Sequence, residues 1–317
     1  MKFILSGLAW LVVFCALGAG GLLFFGVHQF HTLPHSALGL KLIALGAEIG
    51  GNLFILAFCF AALPGARSAP SAHPPLGLIQ GLWGMVGFGI VMAGGGLLLA
   101  NGFTLADFIL IARHSPTRLD LSGHTLLADS AIAGEIAAAI WVFWYFRRLG
   151  IWHLSDGSAA GIAWRAASPA AYLTAAIAAT AIVAIVLIMY RIVPPDLQKL
   201  QNLPMAKLFT GTGISLAPLL IIAIFIGPAL EEMVFRGIAF AGIAARLGPL
   251  WAAIITTAIF MAAHAPEKIH YLPGFLDVGL LALTAIALRL KFHSIRPGIL
   301  LHILYNAGSM VAASFMQ

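Results

Sequence analysis

Gly227-Pro228-Ala229-Leu230-Glu231-Glu232-Met233-Val234-Phe235-Arg236-Gly237 sets two adjacent carboxylates and a guanidinium inside a long apolar run. A charge at bilayer depth costs at least about 2.5–3.5 kcal/mol on insertion scales, so an acid pair there points first to a functional site. The surrounding composition decides which solvent applies. The chain is 61% hydrophobic and 9% charged, with a mean hydropathy of +1.01, against about 25% charged residues in an average soluble domain. It reads as an integral membrane protein. In lipid the backbone must satisfy its own hydrogen bonds, so the expected fold is all-α, a polytopic transmembrane helical bundle.

Outward from that stretch, a ruler of about 20 apolar residues per crossing predicts eight to nine spans. They fall near 4–27, 38–63, 76–100, 124–146, 169–190, 211–246, 249–265, 271–290 and 297–315. The sixth is too long for one straight crossing. Because Pro228 removes a backbone donor and crowds the preceding turn, a kink or a break into two helices is expected at Gly227-Pro228. The polar connection Arg191 to Pro204, with its Pro194-Pro195, divides an N-terminal helical part, 1–190, from a C-terminal core, 191–317. Pro64–Pro75 and Arg113–Gly123 read as further loops.

The net charge of +6 comes from basic residues scattered between apolar runs, which suits membrane topology and gives nucleic acid no patch to bind. Cys15 and Cys59 lie inside apolar spans, without metal-ligand spacing or a disulfide framework. The first apolar run continues past a signal peptide's usual length, so it is expected to stay as an uncleaved span. His28, His31 and His35 bracket the first loop as interfacial histidines. Glu48 sits among Gly46, Gly50 and Gly51, small residues that permit close helix contact. Glu135, with Asp129 nearer the helix start, reads as a buried hydrogen-bonded acid, or alternatively as part of a proton or substrate path.

On helical geometry Glu232 and Arg236 are i and i+4, the favoured order for an intrahelical ion pair. Glu231 points about 100° away and shares its face with Phe235. Arg236 then neutralises Glu232, and Glu231 is left to take or give a proton. Phe260 and His264 are again i and i+4, with Pro266 stopping that helix just after the histidine. His302 and Asn306 repeat the spacing on a last span opened by Pro297. Imidazole and amide N–H groups side by side are the parts of an oxyanion hole.

The motifs Glu231-Glu232-x-x-Phe235-Arg236-Gly237, Phe260-x-x-x-His264 and His302-x-x-x-Asn306 resemble, in order, those of the CPBP family. These are the CAAX proteases and bacteriocin-processing enzymes, also called the type II CAAX prenyl endopeptidase or Abi family. The resemblance covers roughly residues 205–315. It implies an intramembrane endopeptidase with an all-helical core, placed in the bacterial inner membrane and acting on a membrane-embedded or lipidated substrate. In it Glu231 and His264 would activate water, His302 and Asn306 would hold the oxyanion, and Glu232, Arg236, Phe235 and Phe260 would organise the site. A metal-free glutamate mechanism is favoured. Zinc held by Glu231, His264 and His302 is the alternative, although the His-Glu-x-x-His signature is absent and an amide is a poor zinc ligand. Two rival readings stand beside the protease, a non-proteolytic scaffold or immunity partner of the same family and a proton-coupled transporter.

Overall fold

The computed structural model describes residues 38–61, 76–113, 123–150, 156–196, 198–199 and 216–314. Among the described residues the chain forms helices and no strands. We number the helices α1 (Leu38–Ala61), α2 (Leu78–Ala112), α3 (Gly123–Leu149), α4 (Pro169–Ile192), α5 (Leu216–Leu247), α6 (Pro249–Ala263), the single-turn α7 (Ala265–Lys268), α8 (Gly274–Phe292) and α9 (Arg296–Ser314). The expected span 4–27, Cys15, the three histidines near residue 30 and most of the Pro64–Pro75 and Arg113–Gly123 loops lie outside the described residues.

Among the described residues five helices, α1 to α5, are long and apolar enough to cross a membrane. The eight to nine crossings read from the sequence are not reached by that measure. α6 has 15 residues, which is about 22 Å against a hydrocarbon core of about 30 Å. α8 carries Asp277, Arg289 and Lys291, and α9 carries Arg296, His302 and Asn306, all of which dilute its apolar run. α2 runs 35 residues, well past the expected end at residue 100. No proline interrupts the sequence between Pro75 and Pro116, and nothing in 101–112 stops the helix.

The chain divides into two compact units, one of Met1–Ala62 and Ile90–Ala137, the other of Leu63–Gly89 and Ala138–Gln317. In the first unit close approach is carried by glycines of α2. Gly94 faces Leu56 and Asn52 of α1, while Gly95 and Gly96 abut the backbone of α3 at Ala133, Gly134 and Ser130. This is the small-residue packing that replaces the hydrophobic drive when the solvent is itself apolar. The glycines expected to do this work, Gly46, Gly50 and Gly51, meet nothing within 4 Å among the described residues.

In the second unit the start of α2 crosses α5 where Gly81 and Gly242 meet, and a Cβ on Gly81 would lie 2.9 Å from the Gly242 Cα. Trp141 and Tyr145 of α3 stack at 4.8 Å, and the Tyr145 hydroxyl donates to the Gln80 carbonyl at 2.6 Å. α4 lays an alanine-rich stripe, Ala175, Ala179 and Ile182, against Leu281, Ala285 and Leu301 of α8 and α9. A strap at 156–168 packs over the turn between α8 and α9. It is fastened by Ile295 N–H to Ala163 O at 3.0 Å, by the Ser294 hydroxyl to Arg165 O at 2.6 Å, and by Arg289, which donates to the Ala159 and Gly161 carbonyls.

α5 does not break at Gly227-Pro228. Ile226 and Gly227 keep right-handed helical dihedrals, and the helix instead widens into π turns over Ile222–Ile226 and Glu232–Ala239. In the first of these the Gly227 N–H reaches back five residues to the Ile222 carbonyl. A proline takes one donor out of the ladder, and a local shift to i→i+5 bonding absorbs the fault without ending the helix.

Candidate active site

Three elements of the second unit converge on the ring of Phe260, which is almost fully buried. The guanidinium of Arg236 lies 4.1 Å from the ring centroid. Phe235 meets the ring edge-on at 5.1 Å, His264 lies 4.5 Å away and His302 6.0 Å away. α5 therefore supplies the carboxylates and the arginine, α6 the aromatic hub, and α9 a second imidazole.

Glu232 is 0% exposed and Arg236 1%, with Oε1 and Nη1 3.0 Å apart. The same Oε1 lies 3.1 Å from His302 Nδ1, which donates to it. Glu232 Oε2 and both Arg236 Nη atoms have no hydrogen-bond partner among the described residues. The Arg236 contact is thus an ion pair without hydrogen-bond alignment, backed by the Phe260 face, where a desolvated cation gains about 2 kcal/mol. Such a pair tolerates burial only while both members remain.

Glu231 differs in environment. Its side chain is 25% exposed, and its Oε2 lies 3.8 Å from His302 Nε2. The His302 ring therefore stands between the two glutamates, one nitrogen toward each. The separation of the pair read from helical geometry is present in space: Glu232 is sealed with Arg236, and Glu231 faces outward.

His264 sits just past the end of α6, with backbone dihedrals of φ −90° and ψ 2°, in the sparsely allowed bridge region where many active-site residues are found. Its Nδ1 is 2.8 Å from the Phe260 carbonyl. A carbonyl can only accept, so Nδ1 carries hydrogen and Nε2 is the nitrogen available to exchange a proton. Among the described residues no hydrogen bond or ion pair joins His264 to Glu231, and the two sides of the site are linked through the Phe260 ring. Asn306 donates from Nδ2 to the Ala223 carbonyl at 2.9 Å, which uses one of its two amide hydrogens.

Among the described residues no three His, Cys, Asp or Glu side chains are grouped closely enough to hold a metal ion.

Two charged residues of the second unit were not singled out by the sequence reading as buried, Asp277 going unremarked and Arg289 counting only among the scattered basic residues that suit membrane topology. Asp277 and Arg289 are each 1% exposed and lie inside the predicted span 271–290. The signal was the one that singled out Glu231, a charge at membrane depth, but neither belongs to a motif. Arg289 holds the strap and rests on the Phe240 ring at 4.2 Å. Asp277 takes Lys268 Nζ at 3.2 Å, while the Lys268 and Glu267 amides both donate to the His264 carbonyl at 3.1 Å.

The fold and the site together define an integral membrane protein with an acid–imidazole centre built on three helices. Residues 213–308 match the family model described as Rce1-like, type II CAAX prenyl endopeptidase, consistent with the CPBP motifs. The match implies CAAX protease activity. Comparison with curated proteins and with solved structures returned no significant match.

Proposed function

We propose that the protein is an intramembrane endopeptidase of the bacterial inner membrane that hydrolyses a peptide bond in a membrane-embedded or lipidated substrate, using water activated by Glu231 and His264. The observation that carries this reading is the position of His302, with Nδ1 3.1 Å from Glu232 Oε1 and Nε2 3.8 Å from Glu231 Oε2. One carboxylate is held by Arg236 and anchors the ring. The other is part-exposed and can accept the proton of an attacking water. Water adds to the scissile carbonyl carbon as its proton passes to Glu231. The oxyanion so formed is met by N–H groups of His302 and Asn306. When the C–N bond breaks, the proton passes to the departing amine directly or by way of His264 Nε2, leaving a carboxylic acid and an amine from one water.

The deciding experiment compares peptide termini in membranes from cells carrying wild-type protein or Glu231→Gln. New termini that vanish with the variant are expected, and they identify substrates directly. Identical termini in both would sink the protease reading and leave the scaffold or transporter roles. No metal takes part in the scheme. Its test is the zinc content of active, detergent-purified protein, where stoichiometric zinc lost together with activity would replace the glutamate scheme with a zinc one.

A further inference from the structure

Accounting for the backbone hydrogen bonds around Pro228 leaves one carbonyl unclaimed by the helix. The Ala223 oxygen has two backbone donors within reach. In α register the donor would be Gly227 N–H, but that group is committed to Ile222 O. In π register it would be the nitrogen of residue 228, and a proline nitrogen carries no hydrogen. An orphaned carbonyl inside a membrane helix needs another donor. The donor present is the side-chain amide of Asn306, 2.9 Å away on α9.

We infer that Pro228 is a positioning residue for Asn306, because by withholding its N–H it creates the acceptor that fixes the amide in place. A bond to a carbonyl also decides the orientation of the amide, since only the NH₂ end can donate. The Asn306 oxygen therefore points away from Ala223, and the second amide hydrogen keeps a fixed direction. A side chain that must present one N–H to a developing oxyanion gains from having its other N–H tied to a rigid main-chain atom on a different helix. The Gly-Pro pair two residues before Leu230-Glu231 and the amide 78 residues later thus form one device. This inference rests on the protease reading for its catalytic meaning, but its structural half does not.

The test is a four-member cycle of wild type, Pro228→Ala, Asn306→Ala and the double variant, each as the full chain in detergent. Thermal unfolding reads the carbonyl account. Asn306→Ala should lower the melting temperature by orphaning Ala223 O, and adding Pro228→Ala should restore it by supplying the missing N–H. Cleavage of a fluorogenic prenylated peptide reads the positioning account. Pro228→Ala alone should lower kcat with KM little changed, because a competing backbone donor releases the amide. In the Asn306→Ala background, where kcat is already down by about 10²–10³-fold, it should have no further effect. The proposal fails if Pro228→Ala does not rescue the stability of Asn306→Ala. It fails equally if Pro228→Ala lowers kcat by the same factor with and without Asn306. A stability rescue with no cleavage by any variant, wild type included, would keep the hydrogen-bond device and discard only the protease reading.

Discussion

The second oxygen of Glu232 faces Gly298 on α9, and a Cβ at that position would stand 3.2 Å from Oε2 and 3.5 Å from the Ala285 Cβ. The first turn of the last helix thus forms a wall of the carboxylate's chamber, and the wall has room for hydrogen only. Gly298→Ala is expected to push Glu232 off the His302 ring, at an overpacking cost of about 1–3 kcal/mol. Cleavage should fall more steeply than stability, and Gly298→Val should lose both. Unchanged cleavage by Gly298→Ala would show that Glu232 does not set the His302 position.

The two adjacent acids are expected to respond oppositely to the same chemical change. Glu231→Gln should leave a folded protein with no cleavage activity, because the side chain is part-exposed and forms no aligned ion pair. Glu232→Gln removes the counter-ion of a fully buried arginine, and breaking a buried pair costs about 3–5 kcal/mol. Thermal unfolding of the two purified variants, side by side with cleavage, separates the roles. Equal loss of stability would contradict them.

Lys268 and Asp277 tie down the turn that follows His264. The pair is 3.2 Å long, with Asp277 1% exposed and Lys268 20%. Lys268→Met strands a buried carboxylate, with a cost in the range of about 3–5 kcal/mol. Lys268→Arg should retain most of the stability. Mass-spectrometric readout of diethyl pyrocarbonate labelling should show His264 reacting faster in the methionine variant. His293, which sits on the other turn, should be unaffected.

A pH dependence is expected in the strap. The Asp156 carboxyl is held below its ordinary value of 3.8 by the Ser158 backbone N–H first and the Ser158 hydroxyl next, with Arg289 and Arg165 contributing. A depressed folded-state pKa means that the carboxylate stabilises the strap above the unfolded value, and that this help disappears as pH falls through the lowered one. Hydrogen exchange at Ser158 and Gly161 should therefore quicken below about pH 4, the ordinary carboxylate range, more than the general trend. Asp156→Asn should show rapid exchange already at neutral pH, with the acid step gone.

Much of this architecture was legible in the chain. The expected spans 38–63, 124–146 and 169–190 correspond to α1, α3 and α4 within a few residues, because apolar run length and flanking prolines control where a membrane helix begins and ends. The i, i+4 pairs Glu232–Arg236 and Phe260–His264 were visible because each sits on one helix or at its end, where spacing alone sets distance. What was not legible depended on contacts between helices. Hydropathy cannot show that Asn306 will reach Ala223, and so it cannot tell a broken helix from one that widens. It also cannot tell a glycine that meets a neighbour, Gly81, from one that meets nothing among the described residues, Gly46. Asp277 was passed over, and Arg289 was taken only as a topology-setting basic residue, because no motif framed them, although burial of their charge needs partners as surely as that of Glu232 does.

The second π turn of α5 has a consequence for how this helix can vary. A π turn is equivalent to one residue added to an α-helix, and one residue is about 100° of rotation. The wider turn takes up that residue in place, so the helix downstream of Glu232–Ala239, including the Gly242 that meets Gly81, keeps the facing it would have without it. Deleting one residue between Met233 and Phe235 would let the turn return to α register with Gly242 still on the crossing, yet it would change the spacing of Glu232 and Arg236 and part the ion pair. The length of this segment is as much a part of the specification as the identity of its acids.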